Sequence, residues 1–372
     1  MPQRRRTAAK SAEIPVLVFQ GGGALGAYQA GVYEELAAHG IVPRWLAGMS
    51  IGAVNAALIA GNPPSRRVEA LHRFWQGVSS WLPGIPALAD DTSRMLFNEA
   101  SAAVAVAFGA PGFFRPRIPP ALLQPPGTPG ALGVYDTEPL RRTLLELVDF
   151  DLLNGGALRL SVGAVEVESG NAVYFDSDRQ RLGVDHIMAS AALPPGFPPV
   201  EIDGVAYWDG GVVSNTPLQY VLDEEPRPDL CVFQVDLFSA RGPGPQTVLD
   251  ALEREKDIRY SSRTRLNTDA FCRIQAMRRG VHRLLAKLPK SLAGDEDVEL
   301  LRKLSCDARV TIVHLINRRH AYQSQAKDYE FSRRTVEEHW EQGRSDVART
   351  LAHPSWTGRR PPRRGVEVLD LA

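Results

Sequence analysis

The chain is poor in cysteine, has no surplus of either charge sign and lacks a long uninterrupted apolar run. Each shortage removes a class of function. The three cysteines, Cys231, Cys272 and Cys306, lie far apart with no CxxC spacing, which argues against a structural zinc site or a disulfide framework and fits a reducing compartment. Lysine plus arginine and aspartate plus glutamate both number 43, so the overall field gives no reason to expect nucleic acid as a partner. The stretch "AAVAVAF" at 102–108 meets Gly109 and Pro111 well short of the roughly 18 residues that span a bilayer. No cluster of metal-ligand spacing is present, so neither calcium nor another cofactor is expected. Residues 1–13 read as a flexible basic tail on a cytoplasmic protein, because "IPVLVFQ" is too short for a secretory segment.

What is present suits an α/β core with insertions, and 372 residues leave room for more than one domain. Around "VLVFQGGGALGAYQAGVY", residues 16–33, the pattern predicts a strand at 15–20 and a helix at 26–39, followed by a strand at 44–47 and a helix ending near 61–64. That is the opening of a parallel sheet covered by helices. A third helix is expected at 66–76. Residues 77–133, with seven prolines between 111 and 129, predict a loop or mobile cover in place of a regular core element. Beyond them come a helix at 137–148, a hairpin around Ser169, Gly170 and Asn171, a short helix in "VDHIMASAALP", a hairpin in "VEIDGVAYWDGG" and a buried strand at 230–238. A catalytic domain is thus expected over 14–245, and a mainly helical C-terminal extension over 246–372. Within the extension, an Arg-rich helical region reaches about residue 290 and "GDEDVE" reads as an acidic turn. One strand at 309–316 is apolar enough to join the main sheet, and an amphipathic helix lies within 328–351.

Gly21-x-Gly23-x-x-Gly26 matches the dinucleotide fingerprint, but such a site needs an acidic residue about 20 positions on, and "WLAGMS" supplies none. A plain tight turn is the other reading of clustered glycines. Chemistry enters with Gly48-Met49-Ser50-Ile51-Gly52, which occupies the next strand-to-helix turn. Adjacent parallel strands present such turns side by side. In a GxSxG elbow the serine sits in strained backbone with its hydroxyl exposed, and the flanking glycines, here Gly48 and Gly52, leave room for strand and helix. Acyl transfer also needs donors for an oxyanion, and glycine-turn amides at a helix N-terminus provide them.

Ser50 needs a base. None of the eight histidines stands in an obvious catalytic frame, although His314 or His320 would complete the Ser, Asp, His order of α/β-hydrolases. Asp209, followed by Gly210 and Gly211, reads locally as a turn residue, or as a carboxylate at a sheet edge with space beside it. The ordered set "GGGALG", "GMSIG", "ASAALPPGFPPVEIDG" and "DGG", covering about residues 15–240, resembles the bacterial patatin-like phospholipases. "KDYEFSRRTVEEHWEQG" resembles the C-terminal extension of one branch of that family. The resemblance implies a three-layer α/β/α fold with a central mostly parallel sheet and a Ser-Asp dyad in which Ser50 is the acyl nucleophile and Asp209 activates it. It further implies an oxyanion pocket at Gly21, Gly22, Gly23 and Ala24, and lipid or fatty-acyl esters as substrates, in phospholipase A or lysophospholipase fashion. Many members carry Lys or Arg where this chain has Leu25, so charge pairing with a lipid phosphate from the turn is absent here.

A dyad without histidine demands a carboxyl more basic than the ordinary value of about 3.9. Asp209 is therefore expected in a partly apolar pocket near Trp208 and the proline segment at 193–199. The insert at 104–133 offers either a cover for that pocket or a peripheral membrane contact, and the basic helices at 254–290 offer a face to anionic head groups or to solvent. A non-catalytic lipid-binding module on the same fold is the competing reading from another class.

Overall fold

Apolar strands that feed two cores at once build the centre of the molecule. The computed structural model describes residues 13–79, 90–225, 227–292, 294–318, 325–360, 362 and 365–371, with backbone alone at 262–267 and 290. The first half starts with β1 (Ile14–Phe19), α1 (Ala27–Ala38), β2 (Trp45–Gly48), α2 (Ile51–Ala60) and α3 (Arg67–Val78). Next come α4 (Asp91–Phe108), β3 (Arg115–Pro116), β4 (Tyr135–Asp136), α5 (Glu138–Leu147) and α6 (Phe150–Leu153). They are followed by β5 (Arg159–Glu166), β6 (Ala172–Asp176), α7 (Val184–Ser190), β7 (Val200–Ile202), β8 (Val205–Asp209), α8 (Leu218–Leu222) and β9 (Leu230–Asp236). The last third holds α9 (Val248–Leu285), α10 (Glu296–Leu304), β10 (Val310–Ile316), α11 (Arg333–Ala352), α12 (Pro354–Thr357) and β11 (Val366–Asp370).

Among the described residues the main sheet has nine strands in the order β11-β10-β9-β1-β2-β5-β8-β7, with β6 also paired to β5. Pairing is parallel from β11 through to β5 and antiparallel among β5, β6, β7 and β8. Alternation along β1 sends Leu17 and Phe19 into a core with α1, α2 and α3, and Val16 and Val18 into a second core with Leu218 and Val221 of α8 and Phe271 of α9. Helices thus cover both faces, giving the three-layer α/β/α arrangement. Burying one side chain such as Phe19 contributes about 1.5–3 kcal/mol. The parallel register of Phe19 with Gly48 sets the glycine turn after β1 beside the turn that carries Ser50.

Four expectations need correction. Residues 77–133 are not irregular throughout: α4 is an 18-residue helix capped by the Asp90 side chain on the Ser93 amide at 2.7 Å, although 80–89 lie outside the described residues. Its buried face is polar over the first three turns, with Arg94, Asn98 and Ser101 turned inward ahead of Ala102 and Ala105, which is why no apolar period marks that part. The extension adds two strands to the sheet, since β11 pairs in parallel with β10 at the edge. "GDEDVE" is mostly the first turn of α10, capped by Asp295, where acidic side chains complement the helix dipole. Of the expected tail, residues 1–12 lie outside the described residues, while Glu13 accepts from Thr311 Oγ1 at 2.9 Å and from Arg359 Nη1 at 2.6 Å.

The extension packs directly on the first helix. Gly31 of α1 and Gly343 of α11 let the two helices cross in backbone contact, because a Cβ on either would strike the carbonyl of Trp340 or of Tyr28. Beside this crossing, the buried Tyr28 hydroxyl donates to Asp346 Oδ2 at 2.8 Å.

Candidate active site

Ser50 stands between the end of β2 and the first residue of α2, so the positive end of that helix dipole points at it. Its φ of 56° lies in the left-handed region that non-glycine residues avoid, a strain that typically costs on the order of 1–3 kcal/mol. The Ser50 amide donates to Ser190 Oγ at 3.1 Å, which helps hold the turn. Gly48 and Gly52 meet their requirement literally. A Cβ at Gly48 would strike the Gly52 carbonyl, and one at Gly52 would approach the Phe19 carbonyl to 2.6 Å.

Asp209 ends β8 and is 1% exposed. Its backbone amide donates to the Ala192 carbonyl at 3.0 Å, and its Oδ1 accepts from the Gly211 amide at 2.7 Å. The Ser50 hydroxyl lies against the same carboxyl and favours its ionised form, as does the Gly211 amide, but burial dominates and pushes the Asp209 pKa up to about 7. The other oxygen, Oδ2, is buried without a well-formed hydrogen bond. The Ser50 contact is therefore a loose one. Side chains alternate along β8, so Trp208 points to the opposite face and does not form the expected wall. Leu193, Pro194, Pro195 and Phe197 of the proline segment do line the cavity that Asp209 faces.

The glycine turn divides its amides. Gly21 donates to the Asn215 carbonyl at 3.1 Å and Ala24 donates to the Asp328 carbonyl at 2.8 Å, so neither of these two is available for an oxyanion as expected. The amides of Gly22 and Gly23 make no hydrogen bond among the described residues, and both glycines border the cavity. Gly23 needs its φ of 54°, and a Cβ there would run into the Asp328 carbonyl. Gly23→Ala is accordingly expected to displace the turn and lower kcat about 100-fold with KM for short esters little changed. Steady-state kinetics with a thermal melt as a folding control check this, and an unaltered kcat would remove the turn from the chemistry.

Several positioning residues escaped the sequence reading. Asn215 Nδ2 donates to the Gly21 carbonyl at 2.9 Å, while a Cβ at Gly211 would lie 2.9 Å from Asn215 Oδ1. Fully buried Gln20 accepts from the Leu237 and Phe238 amides at 2.6 and 2.9 Å and donates to Thr216 Oγ1 at 3.0 Å. Asn55 donates to the Gly26 carbonyl and to Gln29 Oε1 and accepts from Trp75 Nε1. These amides clamp both ends of the turn. Only the residue type signals them, as buried Gln and Asn demand partners.

Above Ser50 opens a cavity of about 450 Å³ walled by Phe113, Phe114, Tyr135, Phe197, Phe238 and Phe331. A second hollow of about 330 Å³ adjoins it, sharing Leu193, Pro194, Gly211, Asn215 and Tyr260, and lined further by Ser214, Thr216 and Arg259 beside Val212, Val213 and Leu218. The extension supplies Tyr260, Asp328, Tyr329 and Phe331 to the main cavity, so it forms part of the wall. Histidine does not line this cavity among the described residues. His314 sits in β10, three strands from β2 across β9 and β1, too far to reach Ser50, and His320 lies outside the described residues. Among the basic residues at 254–290, Arg254, Lys256, Arg278 and Arg279 bond protein carbonyls and so tie the extension down, while Arg273, Arg283 and Lys287 are exposed. No group of three or more His, Cys, Asp or Glu suited to a metal occurs among the described residues.

A hydroxyl, a buried proton acceptor and two open amides around one apolar cavity are the parts that acyl transfer uses. Comparison with known proteins bears on the same elements. The family model described as "Patatin-like phospholipase" matches residues 17–222, and one described as "Patatin phospholipase" matches residues 258–363. The uncharacterized protein YqhO of Bacillus subtilis (strain 168) is 28% identical over 229 residues, covering 57% of this chain and 68% of that protein. Among solved structures, VipD from Legionella pneumophila aligns with a TM-score of 0.37 at 13% identity, over 91% of this chain and 67% of that one. ExoU, in its complex with SpcU from the type III secretion system of Pseudomonas aeruginosa, aligns with a TM-score of 0.31 at 17% identity, over 78% of this chain and 59% of that one. With more than half of its length matched by the first of these models, the chain belongs to the patatin-like phospholipase family.

Proposed function

We propose that the protein hydrolyses carboxylic esters of lipids, as a phospholipase A or lysophospholipase, through an acyl-enzyme on Ser50 with Asp209 as general base. The observation that carries this is the buried Asp209 carboxyl, raised to about 7, lying against the Ser50 hydroxyl at the floor of an aromatic cavity. The fatty-acyl chain occupies that cavity, and the leaving alcohol with its head group occupies the adjoining hollow, where Ser214, Thr216 and Arg259 stand. Ser50 Oγ attacks the ester carbonyl while its proton passes to Asp209, and the amides of Gly22 and Gly23 receive the oxyanion. Collapse expels the alcohol, which takes the proton from Asp209. Water then adds to the acyl-enzyme, giving a proton to Asp209, and the fatty acid departs as Ser50 recovers its proton.

A fluorophosphonate probe tests the assignment. The native protein is expected to be labelled at Ser50 alone, read by peptide mass spectrometry, with labelling lost after denaturation. On p-nitrophenyl esters of graded length, kcat/KM is expected to rise up to about four-fold per added methylene, from about 0.8 kcal/mol for each CH₂ buried, until the cavity is full. A folded protein that leaves the probe unreacted would instead be the lipid-binding module.

A further inference from the structure

Part of the apolar surface that the fold leaves uncovered lies on the segment that borders the cavity. β3 and β4 pair as a two-stranded ribbon, and the loop they bracket, residues 117–134, projects from it. At its tip Ile118, Leu122 and Leu123 are 95%, 98% and 75% exposed. Tyr135 and Val106 join this surface to the interior, because both line the cavity, the Tyr135 hydroxyl donates to the Val106 carbonyl at 2.9 Å, and Val106 is itself exposed. Contiguous exposed apolar surface of this kind marks a binding face.

The loop is held in shape. Arg117 Nε donates to the Gly133 carbonyl at 3.0 Å, and Gln124 Nε2 to the Pro119 carbonyl at 2.9 Å. The amides of Val134 and Tyr135 donate to the carbonyls of Pro195 and Gly196 at 3.2 and 2.9 Å, which fastens the loop to the proline wall of the cavity. Its side chains are thus presented on a fixed scaffold, and little conformational freedom is lost when they are buried.

We propose that the 117–134 loop inserts its apolar tip into an anionic lipid surface and so seats the cavity mouth on the bilayer. This rests on the lipid-ester reading above, which supplies the reason for a cavity to open there. Charge favours lipid over a protein partner. Residues 100–135 contain no acidic residue, and of their two arginines Arg115 is paired with Asp136 of β4 at 2.8 Å, so the charge left toward anionic head groups is that of Arg117. No helix among the described residues is long and apolar enough to cross a membrane, so the contact is a peripheral one.

The test uses the full chain carrying Ser50→Ala, so that lipid is not consumed. Sedimentation with vesicles of phosphatidylcholine, alone or mixed with phosphatidylglycerol, is expected to show binding that strengthens with the anionic lipid. Adding Ile118→Asp, Leu122→Asp and Leu123→Asp is expected to weaken partition about 100-fold. In the chain with native Ser50, the same triple substitution leaves hydrolysis of p-nitrophenyl butyrate within about two-fold, because none of the three residues lines the cavity. Leu122→Trp is expected to shift its emission to the blue on addition of vesicles. Equal binding by parent and triple variant, or no binding by the parent, overturns the proposal. So does a dimer in light scattering that the triple variant dissolves, which would assign the face to a second copy. Vesicle binding is read without a nucleophile, so its outcome is separable from failure of the fluorophosphonate to label Ser50.

Discussion

Asp209→Asn is expected to lower ester hydrolysis about 10³- to 10⁴-fold while raising the thermal midpoint at pH 8 by a few degrees. Asparagine keeps an acceptor for the Gly211 amide but cannot take the Ser50 proton. The stability change follows from the raised pKa. In the unfolded chain the carboxyl ionises near 4, whereas in the folded chain it ionises at about 7, because burial penalises its charge. Between those values the folded chain holds the extra proton, so stability falls as pH rises from about 4 to about 7, and the full penalty stands above that. The variant should therefore gain at pH 8 and gain nothing at pH 4. Asp236, also buried and also raised to about 7, is present in both proteins and drops out of the comparison. Catalysis has the opposite pH dependence, since the base acts only when ionised. In the native protein kcat/KM should climb ten-fold per pH unit below about 7 and level off above. Melting curves and initial rates across pH 4–9 check both. A variant that turns over normally would end the role of Asp209 as base.

Lys327→Met is expected to destabilise the fold by about 3–5 kcal/mol. Lys327 Nζ lies 2.6 Å from Asp257 Oδ1 and 3.2 Å from Glu253 Oε1, and all three side chains are buried. Removing the cation leaves two carboxylates facing each other in a poorly solvated site. The triple variant Lys327→Met, Glu253→Gln, Asp257→Asn should recover most of the loss, because both carboxylates that Lys327 serves are then replaced by neutral amides. Denaturant titration measures each case. Activity should be lost in the same transition, because the segment anchored by Lys327 also carries Asp328 and Phe331 to the active-site cavity. An extension that melts without affecting hydrolysis would contradict this coupling.

The strand-turn-helix repeat around Gly21 and Ser50 was legible because strands buried on both faces are written as unbroken apolar runs, and glycine marks the turns between them. β10 was legible for the same reason. β11 was not, since it is a short edge strand with Val368 and Asp370 exposed. α4 was hidden by an inverted pattern. Its outward face carries Leu96, Val106 and Phe108, while its inward Arg94 bonds Thr335 and Glu338 and its inward Ser101 bonds Glu330. Apolar periodicity cannot reveal a face whose partners are polar and more than 200 residues away. Locally, Asp209 in "DGG" resembles any turn aspartate, and its burial is created by Ala192 and the proline segment, which only the fold brings near. For the turn amides, spacing could not foretell that Gly21 and Ala24 are engaged by Asn215 and Asp328.

The bond from the Ala24 amide to the Asp328 carbonyl has a bearing on biosynthesis. A nascent polypeptide that has emerged only as far as residue 240 holds the serine, the carboxylate and the glycine turn. It lacks the carbonyl that orients the turn, and the aromatic wall contributed by residues 329 and 331. Order of translation thus withholds a finished cavity until residue 331 has left the ribosome.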